Sequence, residues 1–113
     1  MIFQHPQNVF IIAGDPGKMS CSASGLPRPT IRWYKLTENG DLPLPANGNH
    51  KISVDFTGAK VSTSHLTISV SLLADVASYF CAASNIIGSA TSDSALLTVN
   101  SKTFSRFSPV LNA

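Results

Sequence analysis

The sequence predicts an all-β fold, a sandwich of two antiparallel β-sheets. Short runs rich in β-branched and aromatic residues follow one another, separated by Gly, Pro, Asn or Asp every ~8–12 residues. No run repeats its apolar residues with the period of an α-helix. The only two cysteines, Cys21 and Cys81, lie in alternating runs, and the only tryptophan, Trp33, lies between them. This order is typical of a two-sheet sandwich.

Three strands are predicted in the first third of the chain, over residues 8–13, 18–24 and 30–36. The first is rich in β-branched residues, and a Gly-Asp-Pro-Gly turn separates it from the second. The second alternates apolar and polar residues, as a half-buried antiparallel strand does. Two prolines stiffen the loop before the third strand, in which Ile31 and Trp33 are predicted to face inward.

The middle of the chain is less regular. Residues 37–49 are dense in Gly, Pro, Asn and Asp. A short edge strand could lie around residues 42–44, although the prolines at positions 43 and 45 count against it. Residues 50–56 then alternate regularly, so we expect Ile52, Val54 and Phe56 to face the core.

Three more strands complete the predicted domain. Residues 61–70 should bury Leu66 and Ile68, with Val70, Leu72 or Leu73 filling the core just beyond them. Residues 75–84 form the next strand, a hairpin turn covers residues 85–88, and residues 89–99 form the last strand. Residues 100–113 show no alternation and are predicted to be a tail or linker, which leaves residues 1–99 as the domain.

Composition narrows the class of protein further. A chain of 113 residues is one domain with room for a core. Only 12% of its residues are charged and its net charge is +2, which argues against a nucleic acid or an anionic membrane as partner. No apolar run is long enough for a spanning helix. The start lacks the basic and apolar regions of a signal peptide, so we expect a piece of a longer protein.

Three blocks of sequence resemble the intermediate-set (I-set) immunoglobulin domains. Residues 25–35 resemble their G-x-P-x-P-x-x-x-W-x-K block, and Leu66 to Cys81 resembles their L-x-I…D-x-G/A-x-Y-x-C block. Residues 81–99 resemble their C-x-A-x-N-x-x-G-x-A…L-x-V ending. The resemblance implies an immunoglobulin-like sandwich with one disulfide between its sheets.

The resemblance also assigns roles to the signature residues. Cys21 and Cys81 would form the disulfide, which would stabilise the fold by roughly 4 kcal/mol. Trp33 would pack on it, Leu66 would fill the core, and the Tyr79 hydroxyl would bond to backbone upstream. Metal ligation or redox chemistry by the cysteines is the alternative, but the sequence has no C-x-x-C and no Cys/His cluster.

The roles of Asp75 and of two residues that depart from the family pattern are not explained by the sequence alone. In related domains the aspartate usually pairs with a basic residue; here Lys51 or Lys60 could serve, or Asp75 could have no basic partner. Ser71 and Gly17 stand where such domains usually place apolar residues.

Nothing in the sequence indicates an enzyme. The three histidines are scattered singly, no G-x-S-x-G elbow is present, and the glycines mark isolated turns, not a phosphate-binding loop. We therefore predict no catalytic, cofactor-binding or metal-binding residues, no cofactor and no small-molecule substrate.

The candidate protein-contact residues lie in two loops that the fold would place at one end of the sandwich. Ile86 and Ile87 occupy a hairpin tip where polar residues would be expected, and Leu26 and Arg28 lie in the neighbouring loop. An exposed apolar patch often marks a contact surface. Alternatively, these residues pack on an adjacent domain or cap the core.

Two functions follow as hypotheses. The first is a non-catalytic protein-binding or spacer module of a multidomain cell-surface adhesion molecule or receptor, located outside the cell, whose partners are adjacent immunoglobulin-like domains, a receptor, a ligand or a second copy. The second is a structural module of an intracellular muscle or cytoskeletal scaffold. An antigen-receptor variable domain is disfavoured because residues 89–99 lack an F-G-x-G bulge.

Overall fold

A computed structural model describes residues 1–100 and contains two β-sheets. The strands are β1 (Ile2–Gln4), β2 (Val9–Ile12), β3 (Gly17–Ser24), β4 (Thr30–Thr37), β5 (Gly40–Leu44), β6 (His50–Thr57), β7 (Val61–Ile68), β8 (Ala77–Ser84), β9 (Ser89–Thr91) and β10 (Ala95–Asn100), with a 3₁₀ turn at Leu73–Asp75. Apart from Asn100, the predicted tail or linker over residues 100–113 lies outside the described residues.

The two sheets confirm the predicted sandwich. One sheet has the order β1-β3-β7-β6, and the other has the order β2-β10-β8-β4-β5, with β9 also paired to β8. One pair differs from the antiparallel prediction, since β2 runs parallel to β10. The predicted last strand is interrupted between β9 and β10, where the backbone N–H of Ser92 donates to the Cys81 carbonyl at 2.8 Å.

The short edge strand that the sequence allowed around residues 42–44 forms, as β5, despite Pro43. β5 pairs with β4 on one side and is the edge of its sheet. Proline is tolerated on an edge strand, where its missing N–H can fall on the side that has no neighbour.

At the centre of the core, Cys21 and Cys81 form a disulfide that joins the two sheets. Trp33 is fully buried beside them, and its indole Nε1–H donates to Ser64 Oγ at 2.9 Å. Ser64 in turn donates to the Ser53 carbonyl at 3.1 Å. A buried tryptophan N–H needs such a partner, and this explains why a serine is tolerated inside the sandwich.

Tyr79 lies at the base of the core. Its hydroxyl donates to the Asp75 carbonyl at 2.6 Å, the backbone bond that the family resemblance implies. Burial, and then the charge of the nearby Asp75 carboxylate, raise the pKa of Tyr79, so the phenol keeps the proton that it donates. The Asp75 carboxylate accepts the Leu72 backbone N–H at 2.8 Å. Among the described residues neither Lys51 nor Lys60 forms an ion pair with it.

The expectation that Val70, Leu72 or Leu73 fills the core was wrong. These three side chains are exposed, whereas Ser71 is fully buried. The Ser71 N–H donates to the Asp15 carbonyl, and the Ser71 carbonyl accepts the Gly14 N–H. These bonds draw residue 71 against the turn before β3. Gly17 fits beneath it, since a Cβ there would lie 2.3 Å from Ile11 Cδ1 and 3.3 Å from Ser71 Oγ.

The expectation that Ile52, Val54 and Phe56 are core residues was also wrong. Their side chains remain 37%, 47% and 57% exposed. They alternate as predicted, but β6 is the edge of its sheet, and its inward side is only partly covered.

Candidate functional site

Two loops form an apolar surface at one end of the sandwich, which we call the end surface. It consists of Leu26, at the start of the loop between β3 and β4, and Ile86 and Ile87, at the tip of the loop between β8 and β9. Leu26 is 66% exposed, Ile86 88% and Ile87 78%. The three side chains are therefore presented to solvent and do not cap the core.

Asn85 fixes the shape of the end surface. Its Oδ1 accepts the backbone N–H groups of Ile87 at 2.8 Å and Gly88 at 3.1 Å, and its own N–H donates to the Gly88 carbonyl at 3.0 Å. Its Nδ2 donates to the Pro27 carbonyl at 2.7 Å, which joins the two loops. The sequence predicted the turn over residues 85–88, but it gave no sign that Asn85 also bonds to the loop before β4.

A shallow cleft of about 290 Å³ opens between the loops. Leu26, Ile87, Ala83 and Ala90 are among the residues that line it. The loops approach closely at its floor, since a Cβ on Gly25 would lie 3.2 Å from Asn85 Nδ2. The apolar lining suits an aliphatic side chain of a partner protein more than a charged ligand.

Arg28 points away from this cleft, although the sequence placed it with the isoleucines. Its guanidinium lies 3.8 Å from the centroid of the Phe56 ring, and Nη1 donates to the Gly58 carbonyl at 2.8 Å. The structure therefore places Leu26 and Ile87 on one cleft, with Ile86 beside Ile87 at the tip of its loop, and it places Arg28 over the turn between β6 and β7.

A serine, a histidine and an aspartate form a row on the outer face of the β1-β3-β7-β6 sheet. Ser20 Oγ lies 2.7 Å from His65 Nδ1, and His65 Nε2 lies 3.3 Å from Asp55 Oδ2. Sequence reasoning missed it because the three positions meet only through strand pairing. The Asp55 side chain is 76% exposed, and none of the three residues lines the cleft between the two loops. The row is a hydrogen-bond chain on an exposed face of the sheet.

Residues 1–100 contain neither a candidate metal site nor a helix that could span a membrane. No group of three or more His, Cys, Asp or Glu side chains there could hold a metal ion. No helix in the same range is long and apolar enough to cross a membrane.

Comparisons with known proteins agree with the geometry. The family model described as "Immunoglobulin I-set domain" matches residues 1–99. Roundabout homolog 2 of Homo sapiens is 31% identical over 98 residues, covering 87% of this chain and 7% of that protein. The chain thus spans less than a tenth of this relative's length.

Two solved structures are similar over most of the domain. The N-terminal eight Ig domains of Down Syndrome Cell Adhesion Molecule give a TM-score of 0.74 at 26% identity, covering 88% of this chain and 12% of that one. The N-terminal Ig1-2 module of the Drosophila Receptor Protein Tyrosine Phosphatase DLAR gives 0.68 at 28% identity, covering 89% and 48%. Both contain more than one immunoglobulin domain, and their TM-scores show that this chain shares that fold. The chain is therefore a member of the immunoglobulin I-set family.

Proposed function

We propose that this domain is a protein-binding module of a multidomain cell-surface adhesion molecule or receptor, and that the end surface makes the contact. The observation that carries the proposal is the exposure of Ile86 and Ile87, 88% and 78%, at the tip of a loop that Asn85 holds in shape. An exposed apolar surface that is already ordered loses little conformational entropy on binding. The module acts by contact and not by catalysis.

The partner we propose is a protein. An adjacent immunoglobulin-like domain, a receptor, a ligand or a second copy would each offer apolar side chains to the cleft. The names of the relatives support an adhesion role, since one similar structure is of a cell adhesion molecule and another is of a receptor phosphatase.

We place the module outside the cell, with attachment to a membrane only through other parts of a longer protein. The Cys21–Cys81 disulfide supports this location, because disulfides persist in oxidising compartments and are rare in the cytosol. The same bond tells against the intracellular scaffold.

The experiment compares two double variants of the purified domain, clustered on fluorescent beads, for binding to intact cells of its natural source. Ile86→Ser with Ile87→Ser changes the end surface. Leu72→Ser with Leu73→Ser is the matched control, since both of those leucines are also exposed but lie outside the end surface. We expect the first variant to lose binding by about tenfold or more, and the control to keep it.

The melting temperature separates contact from folding. Both double variants should melt within a few degrees of the parent, because exposed side chains contribute little to stability. Equal binding by the two variants, or a large loss of stability in the Ile86/Ile87 variant, would contradict the proposal.

A further inference from the structure

β6 is an edge strand that is neither short nor interrupted by proline. The edges of the two sheets are β1, β6, β2 and β5, and the three-residue β9 is also paired on one side only. β1 has three residues and β2 has four, and β5 has five with Pro43 among them. β6 has eight residues and contains neither Pro nor Gly. Proteins normally shorten or interrupt their edge strands, because the unpaired N–H and C=O groups of a long edge invite pairing with another strand.

The inward face of the same strand is open. Ile52, Val54 and Phe56 follow one another on that face at 37%, 47% and 57% exposure. A cleft of about 200 Å³ lies beside them, and Ile31 of β4 is among its lining residues. Apolar area of this kind contributes binding free energy when a partner covers it.

The sequence of β6 is complementary to itself in one antiparallel register. When two copies pair about a two-fold axis through Ser53, Lys51 of each copy lies opposite Asp55 of the other, and Ile52 lies opposite Val54. Lys51 and Asp55 are both exposed on the face opposite to the apolar residues. If the axis passes through residue 52 instead, Ser53 lies opposite Lys51, and if it passes through residue 54, Ser53 lies opposite Asp55. Both ion pairs are lost in either register.

We infer that this chain forms a symmetric dimer in which β6 pairs antiparallel with β6 of a second copy. The two four-stranded sheets become one continuous eight-stranded sheet across the axis. Backbone hydrogen bonds join the edges, two equivalent Lys51–Asp55 pairs fix the register, and the apolar side chains of the two copies form one stripe. The inference does not depend on the end surface, because none of the residues that line the end cleft lies in β6.

The test is sedimentation equilibrium of the domain at protein concentrations up to about 1 mM, where even a millimolar dissociation constant is measurable. We expect the parent chain to dimerise. Lys51→Asp places two aspartates opposite each other, and Asp55→Lys places two lysines opposite each other, so each should weaken the dimer by about tenfold or more. Lys18→Asp makes the same charge change on β3 and is the matched control.

Mixing the two weakened variants gives the sharpest result. In the heterodimer, the two aspartates of the Lys51→Asp chain face the two lysines of the Asp55→Lys chain, so equal parts of the two should associate about as tightly as the parent. The double variant, with both changes in one chain, should also recover the parent affinity. Circular dichroism checks that each variant is folded.

Several outcomes would overturn the inference. A parent that is monomeric throughout shows that the edge is not used. A dimer that neither single variant weakens, or that Lys18→Asp weakens equally, uses another surface. Failure of the mixture to associate excludes the register about Ser53.

Discussion

β6 and β7 are neighbours in one sheet and have the same alternating pattern, yet their inward side chains lie in different surroundings. On β7, Leu66 and Ile68 are each 1% exposed. On β6, Val54 and Phe56 are 47% and 57% exposed. β7 has a strand on each side, β3 and β6, whereas β6 has only β7.

The difference shows that sharing a face of the sheet and being buried are separate properties, although an alternating sequence suggests both. A period of two residues indicates which side chains share a face of the sheet. Whether that face is covered depends on what the opposite sheet places over it, and this is set by the whole fold. Over β7 the cover is Trp33, which bonds to Ser64. Beside β6 a cleft remains.

The largest expected effect comes from truncating Trp33, the side chain that covers β7. Trp33→Ala should cost ~3–5 kcal/mol of unfolding free energy, because it truncates a fully buried aromatic side chain. It also leaves the Ser64 hydroxyl without its donor. Urea denaturation measures the change, and a loss below ~1 kcal/mol would contradict the sandwich core described here.

A matched pair of truncations tests the comparison itself. Leu66→Ala on β7 should cost ~2–5 kcal/mol, as buried leucine truncations do. Val54→Ala on β6 should cost less than ~1 kcal/mol, because about half of its side chain is already exposed. Both are measured by urea denaturation at low protein concentration. Equal losses would mean that β6 is as well covered as β7.

A smaller, pH-dependent effect is expected at the first residue of β6. His50 is 7% exposed, and its Nδ1 accepts the Ala46 N–H at 3.0 Å. Burial lowers the pKa of His50, the Asp75 carboxylate opposes the shift, and Lys35 adds to it. The unfolded chain therefore binds a proton at a higher pH than the folded one does. Stability from this group is complete above the ordinary histidine pKa of about 6.5 and is lost as the pH falls below it.

His50→Asn is the control variant, since an asparagine oxygen can accept the Ala46 N–H but does not titrate in this range. Melting temperatures between about pH 5 and 7.5 should fall more steeply with acid in the parent than in the variant. Parallel curves would show that His50 is not held neutral by the fold.

The sequence predicted what depends on spacing and chemistry. Cys21, Trp33, Tyr79 and Cys81 lie in the order that a two-sheet sandwich requires, and the structure places all four in its core. The exposure of Ile86 and Ile87 also followed from their place at a hairpin tip. The exposure of the two isoleucines is a local feature, and the partners of the four core residues are implied by the family pattern.

The features that the sequence did not predict depend on contacts between segments that are distant along the chain. Ser71 is buried because backbone bonds hold it against the turn that contains Asp15, which no alternation indicates. Asn85 acts through a carbonyl in another loop, and Arg28 turns towards Phe56 and Gly58. The exposed face of β6 required knowing that the strand is an edge. Each of these needs the strand order and the register, which a single sequence does not give.

The most direct test of the contrast between the two strands is solvent accessibility of their methyl groups by NMR. A soluble paramagnetic agent is added to dilute, monomeric protein, and relaxation is compared between Leu66 and Ile68 of β7 and Ile52 and Val54 of β6. We expect strong enhancement at Ile52 and Val54 and little at Leu66 and Ile68. Equally weak enhancement at all four would contradict the contrast, because β6 would then be covered and its edge closed.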